Sequence, residues 1–249
     1  MRRLISADMN RILRKIPLLL GFVIATAILI LSVLVFQFLY GAYATVFTYS
    51  VCVVLPATEL LFSIITFLCV YGDEVRSMAM ISAIGRGLTR EKVIFAKFLD
   101  TVMISALMNA ALMLVIFIIQ LISGAEVDHT QAVMIYCSVF TVFYRTIGYV
   151  AIATLFLIIS WNVPFSTIML AACSILIPGF MFLFKDTRLI ATYHIDRIFL
   201  DAIGNMALTD LVLGLTREGL FLYLKGFLLY TVLSMIITIL VFRKKELEF

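Results

Sequence analysis

The stretch Tyr71–Lys97, YGDEVRSMAMISAIGRGLTREKVIFAK, decides how this chain is read. It is the longest polar interruption in the N-terminal half of a very apolar protein. Basic Arg76, Arg86, Arg90, Lys92 and Lys97 stand against acidic Asp73, Glu74 and Glu91. The apolar runs on either side are each long enough to cross a bilayer. After Glu74, the residues Val75, Met78, Ile81 and Ser82 recur at i, i+3, i+6 and i+7, the spacing of a helix lying on a surface. Gly85 and Gly87 end that pattern. Thr89 is placed to cap the next helix, with the capping box incomplete because Lys92 occupies N3. The pattern predicts a short helix, Arg76–Ala83, parked at a membrane surface between two spans. The plainer reading of the same residues is an ordinary positively charged cytoplasmic loop.

Composition sets the class. Of the 249 residues, 64% are hydrophobic and only 14% charged, against about 25% charged in soluble domains. A single transmembrane domain over residues 1–249 is expected, with no separate soluble domain. The formal net charge of +4 does not indicate nucleic acid, because the basic residues sit at the ends of apolar runs rather than along one polar face. Cys52, Cys69, Cys137 and Cys173 lie inside apolar runs without CxxC spacing and read as small packing residues. No H-E-x-x-H motif occurs, and the two histidines, His129 and His194, fall outside the spans, so no metal site is expected. GRGLTREK is not a phosphate-binding loop, since its glycines and lysine have the wrong spacing. The first apolar run is too long for a signal-peptide core and is expected to be retained.

Working outward, residues 1–15 carry Arg2, Arg3, Arg11, Arg14 and Lys15 among Leu4, Ile5, Met9, Ile12 and Leu13 at helical spacing, which predicts an amphipathic interfacial helix. No charged residue occurs from Ile16 to Thr58. That is too long for one span of about 20 residues, and the turn is placed at Tyr40-Gly41-Ala42-Tyr43. The spans follow as Ile16–Leu39, Ala44–Val70, Phe98–Ile122, Ala132–Ile159, Pro164–Phe184 and Gly219–Phe242. A short acidic loop with Glu126, Asp128 and His129 joins the third and fourth. Trp161-Asn162-Val163-Pro164 turns the fourth into the fifth, which is expected to bend at Pro178-Gly179. Within 185–218, Ile195, Ile198, Phe199, Ala202 and Ile203 form one amphipathic pattern that Gly204 is expected to stop. Leu208, Leu211, Val212 and Leu215 form a second. Both predicted helices are too short to span. They are expected to lie in, or dip into, the outer leaflet, or else merely to cap the bundle.

With six spans both termini share a side. Thirteen Lys and Arg flank that side and five the other, so both termini and the 72–97 loop are expected in the cytoplasm and 185–218 outside.

This layout resembles the type 2 permeases of ATP-binding-cassette (ABC) transporters. The residues that carry the likeness are Glu74 at the end of the second span, the short helix Arg76–Ala83, the Thr89-Arg90 pair, Lys97 entering the third span, the amphipathic N-terminus and the ending FRKKELEF. Val75 and Ser77 stand where the family often has a small residue and Thr, and the first external loop is almost absent. The resemblance implies an all-α membrane subunit of six transmembrane helices in the plasma membrane, with a cytoplasmic coupling helix and external helices between spans five and six. It implies a separate ATPase partner that binds ATP and Mg and docks on Glu74, Arg76, Met78, Ile81, Thr89 and Arg90, so this chain would hold no cofactor and be no enzyme itself. It further implies pairing with a second copy or a homologous permease, contact with membrane lipid, and an outer gate that includes Ile195, Ile198, Phe199, Leu208 and Leu211.

Two charges fall about midway along spans, Glu59 beside Pro56 and Arg145, each costing about 2.5–3.5 kcal/mol if alone. Either they pair or line a transport path, or each faces protein or water separately. Asn109 adds a polar group within the third span, a type that often joins helices. The same pair underlies a rival reading, a secondary transporter or ion pathway, for which no inverted repeat is visible. A membrane scaffold or sensor subunit is the other alternative.

Overall fold

A computed structural model describes residues 2–41, 43–77, 79–176, 178–179, 183, 199–214 and 217–244, and side chains are described for most of these. The described residues are helical, with no strand among them. The helices are α1 (Arg2–Leu13), α2 (Ile16–Tyr40), α3 (Ala44–Val75), α4 (Ala79–Gly85), α5 (Arg90–Ser123), α6 (His129–Ser160), α7 (Val163–Leu176), α8 (Leu200–Gly214) and α9 (Arg217–Lys244). Five of them, α2, α3, α5, α6 and α9, are long and apolar enough to cross a membrane. Helix α7 is apolar but shorter, and most of the rest of the expected fifth span, apart from residues 178–179 and 183, lies outside the described residues.

The bundle is built around α6. Its apolar stretch is 72% buried, against 28% for those of α2 and α9. Helices α3, α5, α7, α8 and α9 all pack on α6, while α2 lies outside α3. The sequence explains the difference. Helix α2 buries one stripe, Leu18, Gly21, Ala25, Leu29 and Val33, and leaves Leu19, Leu20, Val23, Leu31 and Leu34 open. Those open leucines and valines have no reason to be buried if hydrocarbon surrounds them. Helix α6 instead buries small and polar residues such as Ser138, Thr141, Gly148, Ala151 and Thr154, which let neighbours approach closely.

Helix ends follow local chemistry. The turn between α2 and α3 falls at Gly41, as the uncharged run predicts. Asp128 and Gln131 form a reciprocal capping box at the start of α6. Trp161 ends α6 in the left-handed region (φ 52), and the Asn162 side chain then accepts a hydrogen bond from the Phe165 amide at 3.1 Å to start α7. Thr89 occupies the N-cap position of α5 without a side-chain cap bond. Gly87 (φ 91) makes the reversal before it, a conformation that favours glycine.

Among the described residues, wider π turns occur in three helices, at Leu68–Gly72, Ala172–Leu176 and Phe227–Val232. The second has a visible cause: Pro178 lacks an amide hydrogen and its ring crowds the carbonyl four residues back, at Ser174.

One expectation is corrected. Gly204 does not stop a helix. Helix α8 runs unbroken from Leu200 through Gly204 and Asn205 to Gly214, so the later part of the first predicted short helix, Phe199 to Ile203, runs on into the second, and its earlier part, Ile195 and Ile198, lies outside the described residues.

Candidate functional site

Two clusters of buried charge occupy the bundle, one midway along α3 and α6 and one at the end where α1 and α4 lie.

In the first, Glu59 and Arg145 are each 5% exposed. Pro56 removes a backbone donor one turn before Glu59. Arg145 donates through Nη1 to Glu59 Oε2 at 3.1 Å and lies 2.8 Å from Asp201 Oδ1. Its Nη2 donates to Asn205 Oδ1 at 2.8 Å and to the Asp201 carbonyl at 2.7 Å. One guanidinium therefore joins α3, α6 and the first turns of α8. Such forked, charge-assisted bonding is what an arginine can do and a lysine cannot. Gly204 completes the fit: a Cβ there would lie 2.7 Å from Arg145 Nε. The Glu59 carboxylate is 6% exposed and that of Asp201 is 31% exposed. The more exposed side of the cluster is the α8 side. With both carboxylates ionised it carries a surplus negative charge.

Asn109 makes no hydrogen bond to this pair among the described residues. Its amide donates to the Ser105 carbonyl at 2.8 Å. With Tyr136, Phe140 and Phe143 it lines an apolar groove of about 300 Å³ between α5 and α6.

The second cluster ties α1 to the bundle. Lys97, 2% exposed, reaches Asp8 Oδ2 at 2.5 Å, Glu74 Oε1 at 3.1 Å and Asp100 Oδ2 at 3.8 Å. Arg11 pairs with Glu74 and lies 3.6 Å from Asp8. Lys15 holds Asp73 Oδ2 at 2.7 Å and the Cys69 carbonyl at 2.6 Å. Burial opposes charge on Arg11, but Glu74, Asp8 and Asp73 outweigh it and raise its pKa above the usual value. The π turn at Leu68–Gly72 adds one residue to the turn, advancing the register by about 100°. Beyond it Glu74 faces inward and Asp73 outward.

The residues expected to dock a partner are thus divided. Glu74 is 4% exposed and is engaged within the chain by Arg11 and Lys97. Arg90 donates to the carbonyls of Phe242 and Arg243 at 2.8 and 3.0 Å and lies over the Phe242 ring, which caps the C-terminal end of α9. Thr89 is exposed and Ile81 half-buried. Met78 and the Arg76 side chain lie outside the described residues. Helix α4 is described over Ala79–Gly85, the expected first residue Arg76 ends the helical turn Asp73–Arg76 before it, and α4 has its own anchor: Met80 is 1% exposed among Val93, Ile94, Ile158, Met235 and Phe242. Of the outer-gate residues, Leu211 is buried on α8, Leu208 and Phe199 are half-buried, and Ile195 and Ile198 lie outside the described residues.

Sequence reasoning weighed neither Asp201, Asn205 nor Asp100. Asp100 had a signal, being three residues after Lys97 on one helix face. Asp201 and Asn205 had none beyond being polar in an apolar pattern.

Fold and clusters together define a multi-pass helical membrane protein with two internal ion networks. No protein-family model, curated protein or solved structure matches the chain.

Proposed function

We propose that this chain is the membrane-spanning permease subunit of an ATP-driven exporter of the ABC type, with both termini in the cytoplasm of a cell whose plasma membrane it crosses six times. ATP and Mg belong to a separate ATPase subunit, and a second copy or a homologous permease completes the pathway. Helix α4 carries this reading. It is a seven-residue helix between the second and third spans, anchored to the bundle through Met80 with Ile81 and Ser82 on its open side. A helix held at one point and open at the other side suits a moving partner. ATP-driven closure of the ATPases would push it and shift the two bundles between inward- and outward-facing states. Helix α8, held at mid-depth by Arg145, would carry that shift to the outer gate. The apolar bundle suits an amphipathic or hydrophobic cargo such as a membrane-active peptide, an antibiotic or a lipid. Co-purification with an ATPase whose hydrolysis rises on cargo addition tests this. Micromolar nucleotide binding by the purified chain alone would overturn the division of labour.

The surplus carboxylate in the Glu59–Arg145–Asp201 cluster favours one second reading, transport coupled to an ion or proton instead of ATP. Cargo uptake into vesicles driven by a pH gradient, with no ATPase present, distinguishes the two.

A further inference from the structure

Arg14 and Lys15 sit where α1 gives way to α2, at the level where the long apolar helices begin. With Ile16, Pro17, Leu68 and Val163 they line a cavity of about 440 Å³ between the α1–α2 junction, the π turn of α3 and the start of α7. Lys15 is committed to Asp73 and to the Cys69 carbonyl. Arg14 has no acidic partner among the described residues, so the cavity keeps one uncompensated positive charge. Helix α2 starts at this point, with Ile16 and Pro17 of its first turn against the same space. Immediately beyond lie Ile16, Leu19 and Leu20, which are 73%, 60% and 53% exposed. A basic mouth thus opens onto an exposed apolar helix face.

We propose that this cavity binds the headgroup of one anionic phospholipid, with its phosphate on Arg14 and its acyl chains along the Ile16–Leu20 face of α2. The recognition is chemical. A phosphodiester supplies the missing negative charge, and the acyl chains cover apolar surface that a free anion would leave open. A zwitterionic headgroup brings its own cation beside Arg14 and is disfavoured. Because Lys15 grips the π turn of α3, the bound lipid would brace the junction of α1, α2 and α3.

The test uses the full chain in detergent. Its thermal unfolding midpoint is followed as dioleoyl-phosphatidylglycerol, dioleoyl-phosphatidylcholine or water-soluble glycerol phosphate is added, and retained lipid is counted by native mass spectrometry. Phosphatidylglycerol should raise the midpoint, and one molecule should stay bound per chain. Arg14→Gln should weaken that binding about fivefold, the loss expected for one basic residue near a membrane surface. Lys92→Gln, an exposed basic residue at the same end, should leave it unchanged. Equal shifts with phosphatidylcholine, or an Arg14→Gln protein that responds like wild type, would overturn the assignment. An equal response to glycerol phosphate would make it a site for free phosphate and overturn the lipid.

Discussion

Gly204 presents a bare Cα to the Arg145 guanidinium, and a Cβ built there would stand 2.7 Å from Nε and 3.2 Å from Nη2. The arginine cannot easily yield, because Glu59, Asp201 and Asn205 hold it from several directions. Two effects compete when Gly204 becomes Ala. Within a helix, Ala is favoured over Gly by about 1 kcal/mol. Displacing a buried guanidinium from its hydrogen bonds costs about 1–3 kcal/mol. Gly204→Ala should therefore lower the unfolding midpoint of the purified protein. A raised midpoint would show that Gly204 is merely a weak spot in α8.

Glu59 and Arg145 should depend on one another. Removing one partner of a buried pair costs about 3–5 kcal/mol, because the other charge is left unpaired. Glu59→Gln and Arg145→Met should each be severe, and the double variant should cost less than their sum. Asp201→Asn should be the mildest of the three carboxylate and arginine changes, since its side chain is the least buried of the three. Strict additivity of Glu59→Gln and Arg145→Met in thermal unfolding would contradict the contact.

How much of this was legible depended on what each residue had to say locally. The turn at Tyr40–Tyr43 was readable because 43 uncharged residues cannot form one span. The helix starts at Thr89 and Pro164 were readable because Thr at N-cap and Pro in the first turn are local signals, although Thr89 makes no side-chain cap bond. Gly204 was misread for a physical reason: a glycine that ends a helix and one that admits a neighbouring side chain look alike in sequence. Asp201 and Asn205 looked like the polar face of an amphipathic helix, and only their approach to Arg145, some sixty residues earlier in the chain, shows otherwise. Met80 was missed because the periodic positions Val75, Met78 and Ile81 drew attention to the opposite face.

Lys97 should be the keystone of the second cluster. It faces Asp8, Glu74 and Asp100 at once, and Asp100 is fully buried. Lys97→Met would leave carboxylates packed together with only Arg11 to balance them, a loss of about 3–5 kcal/mol. Arg11→Gln should cost about 1 kcal/mol or less, because its side chain is 39% exposed. Unfolding in detergent by heat ranks the two. A larger effect for Arg11→Gln would place the centre of the network on α1 instead.

The open face of α4 should be separable from its anchor. Met80 is buried in the chain's own core, so Met80→Ala should cost about 2–5 kcal/mol of stability, whatever partner is present. Ile81 is half-buried and Ser82 exposed, so Ile81→Asp together with Met78→Asp should leave folding and membrane insertion close to wild type. Under the proposed function the same double change removes apolar anchors worth about 1.5–3 kcal/mol each when a partner covers them, and should release the ATPase and abolish cargo-stimulated hydrolysis. Glu74 contributes only indirectly, by fixing the end of α3, so Glu74→Gln should weaken ATPase binding no more than it weakens the fold. An impermeant thiol reagent on intact cells adds the orientation: Ser82→Cys should be protected and Asp186→Cys labelled. An unchanged ATPase affinity in the Met78→Asp, Ile81→Asp protein, with Ser82→Cys protected, would move the docking site away from α4. Labelling of Ser82→Cys would turn the whole bundle over and end the exporter reading.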